Sequence, residues 1–204
     1  NEEVKFFGNR KDLAEKEISY IGIRGGEGII YPAIAYSDNN LSITKGLLSR
    51  GLIRNGESVF HEGLHLHLET LNININYCIE EAAAVYMGFR MQEEFYSDNL
   101  RLLRILGEQK KKQIEKFRQV RHYRNELDKD YKINSGNNKQ KILEEFKSKK
   151  LYPRLEINNA FFIFMERYAK YYEEVENFLN QYSINEIIKN TNEVMKKMEQ
   201  EILR

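Results

Sequence analysis

Three of the chain's four histidines fall within seven positions, in the stretch SVFHEGLHLHLETL at residues 58–71. His61, Glu62 and His65 form the pattern H-E-x-x-H. On a helix each residue advances about 100°, so positions four apart stand about 40° from one another and one turn apart in height. Two imidazoles so placed can grip one zinc ion, which takes nitrogen ligands at about 2.0–2.1 Å in a tetrahedral array. Glu62 lies about 100° round from His61, beside such an ion and not on it, where a carboxylate can take a proton from metal-activated water. His67 points about 200° away from His65, and its expected role is packing or surface. His61, Glu62, His65 and Glu69 share one sector of the helix. Phe60, Leu64, Leu68 and Leu71 share another, and Val59 and Leu66 lie on a third side. A helix that is apolar on two sides and charged on the remaining one is expected to be buried while lining a pocket.

Two imidazoles leave a tetrahedral site incomplete. The next segment, YCIEEAAAVYMG at 77–88, sets two adjacent acids at the start of a second helix and follows them with small residues. Small residues let one helix approach another closely, as a glutamate must to reach a metal held by its neighbour. Glu80 and Glu81 are also acids that a helix dipole favours in the first turn, whatever else they do. Glu57, Glu69 or Glu80 can brace the imidazoles, since a metal-bound histidine usually donates its other N–H to an acceptor.

Together the two segments resemble the gluzincin class of zinc metallopeptidases, in which H-E-x-x-H on one helix is completed by a glutamate from the next. EEAAAVYMG is similar to the thermolysin-type N-E-A-x-x-D-x-x-G, aligning Glu81, Ala82 and Gly88. It is also similar to the aminopeptidase-type N-E-G-x-A-x-Y, aligning Glu81, Ala84 and Tyr86. A third register, E-x-x-A-D, selects Glu80 through Ala83. The resemblance implies metal ligands His61, His65 and Glu81, with Glu80 the alternative third ligand. It implies Zn2+ as cofactor, Glu62 as general base, and hydrolysis of peptide bonds in a peptide or protein substrate. Only 15 residues separate His65 from Glu81, so the member would be a compact one, and Val85 stands where an aspartate is common. The class draws an oxyanion donor from its second half. His122 and Tyr123 in VRHYR have the residue types for it.

The elements that would position these groups divide the chain. ISYIGI (18–23) and GIIYPAIAY (28–36) are rich in β-branched and aromatic residues, are split by RGGEG, and read as strands, with VKFF (4–7) a third. From residue 58 the periods are helical, with Asn55 or Ser58 as a cap. Residues 72–76 read as a link, 79–106 and 107–127 as helices, and 128–141 as a polar connection. Phe161, Met165, Tyr168, Tyr172, Val175 and Leu179 recur at helical steps, as do Ile184, Ile187, Thr191, Val194, Met198 and Ile202; such stripes mark a core face or an oligomer seam. The expected fold is α+β but predominantly α. It is zincin-like, with a small N-terminal antiparallel sheet over the motif helix and a helical C-terminal half. Residues 1–106 would form the metal-binding core and 107–204 a helical subdomain. GIIYPAIAY would be the strand that takes extended peptide by strand addition.

Composition narrows the partners. Thirty-two basic residues against 31 acidic ones leave a net charge of +1, which gives no basic surplus for nucleic acid. No apolar run reaches the roughly 18 residues of a membrane span. The single cysteine, Cys78, allows no intrachain disulfide and suits a reducing compartment, which makes the cytoplasm the expected location. The chain begins at asparagine, which leaves room for a removed upstream segment. The rival expectations are a metal-binding protein that is not a peptidase and uses its helical half for interaction, and a helical scaffold that binds no metal.

Overall fold

The computed structural model describes residues 52–153 and 155–204. Eight helices are found among them: α1 (Leu52–Thr70), α2 (Tyr77–Phe95), α3 (Leu100–Asn134), α4 (Lys139–Ser148), α5 (Asn159–Ala169), α6 (Tyr172–Leu179), α7 (Ile184–Lys189) and α8 (Thr191–Ile202). No strand occurs among the described residues. The α+β, zincin-like expectation is therefore corrected to all-α for this part of the chain, and it is a second helix that packs on the motif helix there. From Leu52 onward apolar residues recur at three- and four-residue steps, which is why this part is helical. The strands read at 4–7, 18–23 and 28–36 lie outside the described residues.

The described residues belong to two compact units. One holds His122–Met165; the other runs to Arg121 and resumes at Glu166–Arg204. The limit expected between Leu106 and Gly107 falls inside α3.

The second of these units carries His61, His65 and His67, and α2 is its centre. Ile79, Ala82 to Phe89 and Gln92 are all buried, so the helix is enclosed on nearly every side. It packs on α1 and α6, and α8 packs on α6 and α7. Its start is set by Asn76, whose side-chain oxygen accepts from the Cys78 N–H at 3.0 Å, satisfying one of the free donors of the first turn. Leu64 and Leu68 turn the other face of α1 inward, and Val175, Leu179, Ile187, Val194 and Met198 supply much of the remaining core. Fully burying side chains of this size contributes about 1.5–3 kcal/mol each. No helix among the described residues is long and apolar enough to cross a membrane.

Helix limits depart from the sequence reading at three places. The motif helix begins at Leu52, so Asn55 and Ser58 lie inside it and do not cap it. The second helix stops at Phe95 instead of continuing to 106, and Asn99 restarts the chain by accepting from the Leu102 N–H at 3.1 Å. The stretch 128–141 is mostly helical. Asp130, buried in the His122–Met165 unit, accepts from Asn134 Nδ2 at 3.1 Å and from the Asn138 N–H and Nδ2, each at 2.9 Å. A buried carboxylate thus ties the turn between α3 and α4, where surface polarity alone suggests a loop. That unit's core is aromatic, with Phe146 ringed by Tyr123, Phe161 and Phe162 at 4.8–5.6 Å between centroids.

At Gly88 the backbones of α1 and α2 come close together. A Cβ there would lie 3.3 Å from the Glu57 carbonyl oxygen and 3.7 Å from the His61 nitrogen. Gly63 has open space in the same position. We expect Gly88→Val to destabilise the protein by about 1–3 kcal/mol through overpacking against the α1 backbone. Gly63→Ala should stabilise it by up to about 1 kcal/mol through helix propensity. Thermal melts of the two variants check both signs.

Candidate metal centre

His61 and His65 sit one turn apart on α1, as the helical period requires, and Glu81 comes from the first part of α2. Their ligating atoms converge. His61 Nε2 and His65 Nε2 are 3.2 Å apart. Glu81 Oε2 lies 3.4 Å from His61 Nε2 and 3.7 Å from His65 Nε2. Atoms held at 2.0–2.1 Å around a tetrahedral ion lie about 3.3–3.4 Å from one another. The observed triangle matches that edge length to within a few tenths of an ångström. Among the described residues this is the group of histidine, cysteine and acidic side chains whose geometry suits a metal.

Glu81 is 2% exposed, and no hydrogen bond reaches its Oε2. A buried carboxylate oxygen is costly unless a positive charge or a donor compensates it. Burial acts to raise the Glu81 pKa, but His61, His65 and the Tyr77 hydroxyl outweigh it and hold the carboxyl well below the usual carboxylate range. Burial likewise acts to lower the His65 pKa, while the Glu80 and Glu81 carboxylates overcome it and push the imidazolium up to about 9. The site thus favours positive charge at the point between the three atoms. A divalent cation placed there displaces the proton that His65 otherwise holds.

Glu80 and Glu81, adjacent in sequence, face different targets. Glu80 Oε1 accepts from His65 Nδ1 at 2.7 Å, which leaves His65 Nε2 pointing at the triangle. This is the carboxylate–histidine pairing that orients a metal-binding imidazole and raises its basicity. Of the two candidate third ligands, Glu80 is therefore engaged with His65, and it is the Glu81 Oε2 that faces both imidazoles. Glu62 follows His61 on α1 and is exposed to solvent.

The remaining residues singled out from the sequence have other surroundings. His67 Nε2 donates to Thr191 Oγ1 at 2.9 Å, and that hydroxyl bonds onward to the carbonyls of Ile187 and Ile188. It ties the end of α1 to the α7–α8 junction. His122 is exposed and Tyr123 is buried, and their rings meet edge to face at 4.9 Å within the His122–Met165 unit, where Tyr123 also packs on Phe146. Three residues near the triad escaped the sequence reading. Tyr77, four residues before Glu81, acts to lower the Glu81 pKa, and Tyr168 stands with its ring 6.3 Å from that of His61. Arg167 lies over the Tyr168 ring at 4.9 Å. Tyr77 had a visible signal, being four residues before Glu81 on the same helix face. Arg167 and Tyr168 had none, because α5 comes from about a hundred residues further along the chain.

Compared with known protein families, curated proteins and solved structures, the chain matches none. The chemistry of the site follows from its own atoms.

The separation of roles between Glu80 and Glu81 is directly measurable. Glu81→Gln should abolish tight zinc retention, because a ligand atom loses its charge. Glu80→Gln should leave zinc bound with about 10–100-fold lower affinity, the usual cost of removing a group that braces a ligand. Chelator competition on the purified variants checks the order.

Proposed function

We propose that the chain is a zinc-dependent peptidase, a compact protein of gluzincin type. The observation that supports this reading best is the convergence of His61 Nε2, His65 Nε2 and Glu81 Oε2 at 3.2–3.7 Å on one point, with the exposed Glu62 next along the helix. Two imidazoles and one carboxylate leave a tetrahedral ion one open position, the arrangement of catalytic zinc sites rather than closed structural ones. A zinc ion held there supplies a Lewis acid that brings the pKa of a water toward ~7.

The residues then divide the work. His61, His65 and Glu81 hold the centre, and Glu80 keeps the His65 ring turned toward it. Glu62 takes a proton from the attacking water and returns it to the leaving amine. The developing oxyanion needs a hydrogen-bond donor in a fixed place. Tyr168, beside the His61 ring, has the residue type and the neighbourhood for that task. Tyr123 is committed to packing in the core of its own unit. The substrate class is a peptide or an unfolded protein segment.

Substitution of the base separates a peptidase from a protein that only holds metal. Glu62→Gln should keep one zinc per chain and lose about 100-fold or more in the rate of cleaving an unfolded protein substrate, since a positioned general base contributes about 10²–10⁴-fold. Equal residual cleavage by the wild type and Glu62→Gln contradicts peptidase activity and leaves the metal-binding reading in place.

A further inference from the structure

An apolar pocket of about 210 Å³ lies beside the motif helix. Phe60 and Leu64 of α1, Met87 and Met91 of α2, and Ile187 and Ile188 of α7 line it. Gly63 stands in its wall, exposed to solvent, and the space where its Cβ would lie is open. The polar side chains that reach the pocket are His67 and Thr191, and they are hydrogen-bonded to each other at 2.9 Å. An occupant therefore meets a wall whose polar groups are already paired, and an apolar group suits it best. Apolar cavities of about 150 Å³ take up benzene, so this one has room for the benzyl group of a phenylalanine. Methionine thioethers adapt to an aromatic ring and attract it, and two of them face the space.

A phenylalanine stands at the edge of the same pocket. Met87, Met91 and Phe95 succeed one another at four-residue steps, so they share one face of α2. The first two line the pocket. Phe95 ends the helix 70% exposed, with its ring 6.3 Å from that of Phe60. A protruding ring and a pocket of matching size thus lie side by side on one surface. A two-fold axis between them carries each ring to the other copy's pocket, which is the self-complementarity that a symmetric dimer requires. A partner of different sequence would use the pocket or the ring, whereas a second copy uses both.

We propose that this surface joins two copies of the chain, Phe95 of each entering the pocket of the other. Area sets the strength of the contact. An aromatic side chain presents about 150–250 Å², so two rings seated in two pockets bury on the order of several hundred Å². That falls short of the ~1,200–2,000 Å² of a stable interface. The dimer is therefore reversible, with a dissociation constant of roughly tens to hundreds of micromolar. The α1 positions at the pocket lie about 130° round the helix from His61 and His65, so the contact is made on a different side of α1 from the metal triad.

Sedimentation equilibrium of the full chain from about 1 to 500 µM tests this. The wild type should pass from monomer to dimer over that range. Phe95→Ser removes a ring from an exposed position and should raise the dissociation constant about 30-fold or more, as loss of an aromatic anchor does. Gly63→Leu fills the pocket from its open side and should weaken the dimer in the same way. Circular dichroism checks that both variants keep wild-type helicity. A wild type that stays monomeric throughout, or a dimer that either folded variant leaves intact, overturns the proposal. So does a monomer whose pocket takes up N-acetylphenylalaninamide, seen by NMR, because the pocket then serves an aromatic side chain of another protein.

Discussion

The structure around the candidate site depends on one costly arrangement, a carboxylate buried at a close crossing of two helices and directed at two imidazoles. Glu81 is brought there by the small residues that follow it. Ala82, Ala83 and Ala84 are fully buried, and at Gly88 the α1 backbone comes within reach of where a side chain would begin. Larger residues on α2 would hold the helices apart and withdraw Glu81 from the histidines. The same closeness removes Glu81 from water, so its charge must be met inside the protein. The two imidazoles, one of them held by Glu80, are the response to that constraint. The close crossing and the polar cluster are two consequences of one packing decision.

How far the site could be read from the sequence follows from what helical spacing can and cannot fix. The interval between His61 and His65 places both on one face wherever the helix sits, so their convergence was legible. The choice between Glu80 and Glu81 was not. Adjacent helical residues point about 100° apart, and which one meets α1 depends on how α2 is rotated at the crossing. Both meet α1: Glu81 turns its Oε2 toward the two imidazoles and Glu80 accepts from His65 Nδ1. His67 was separable from the pair by angle alone. Its partner Thr191 lies more than a hundred residues away and could not be named.

The fold was legible in patches. Apolar stripes marked the C-terminal helices, and Ile187, Thr191, Val194 and Met198 are buried within the chain. Local chemistry misled the reading in two places. Asn99 ends an apparently continuous helical pattern because its side chain caps the next helix. The polar run after Leu127 stays helical because Asp130 is turned inward and collects hydrogen bonds from Asn134 and Asn138. Composition reports polarity but not which way a single carboxylate faces. The α+β reading came from β-branched stretches before residue 37, none of which is among the described residues, whereas the described part is helical.

X-ray absorption at the zinc edge of the metal-loaded protein tests the central claim most directly, because it reports the ligand shell itself. A zinc ion held by His61, His65 and Glu81 should show four light-atom neighbours near 2.0–2.1 Å, with the outer-shell scattering of two imidazole rings. An oxygen-only shell without imidazole scattering, or a sulfur neighbour from Cys78, would contradict it.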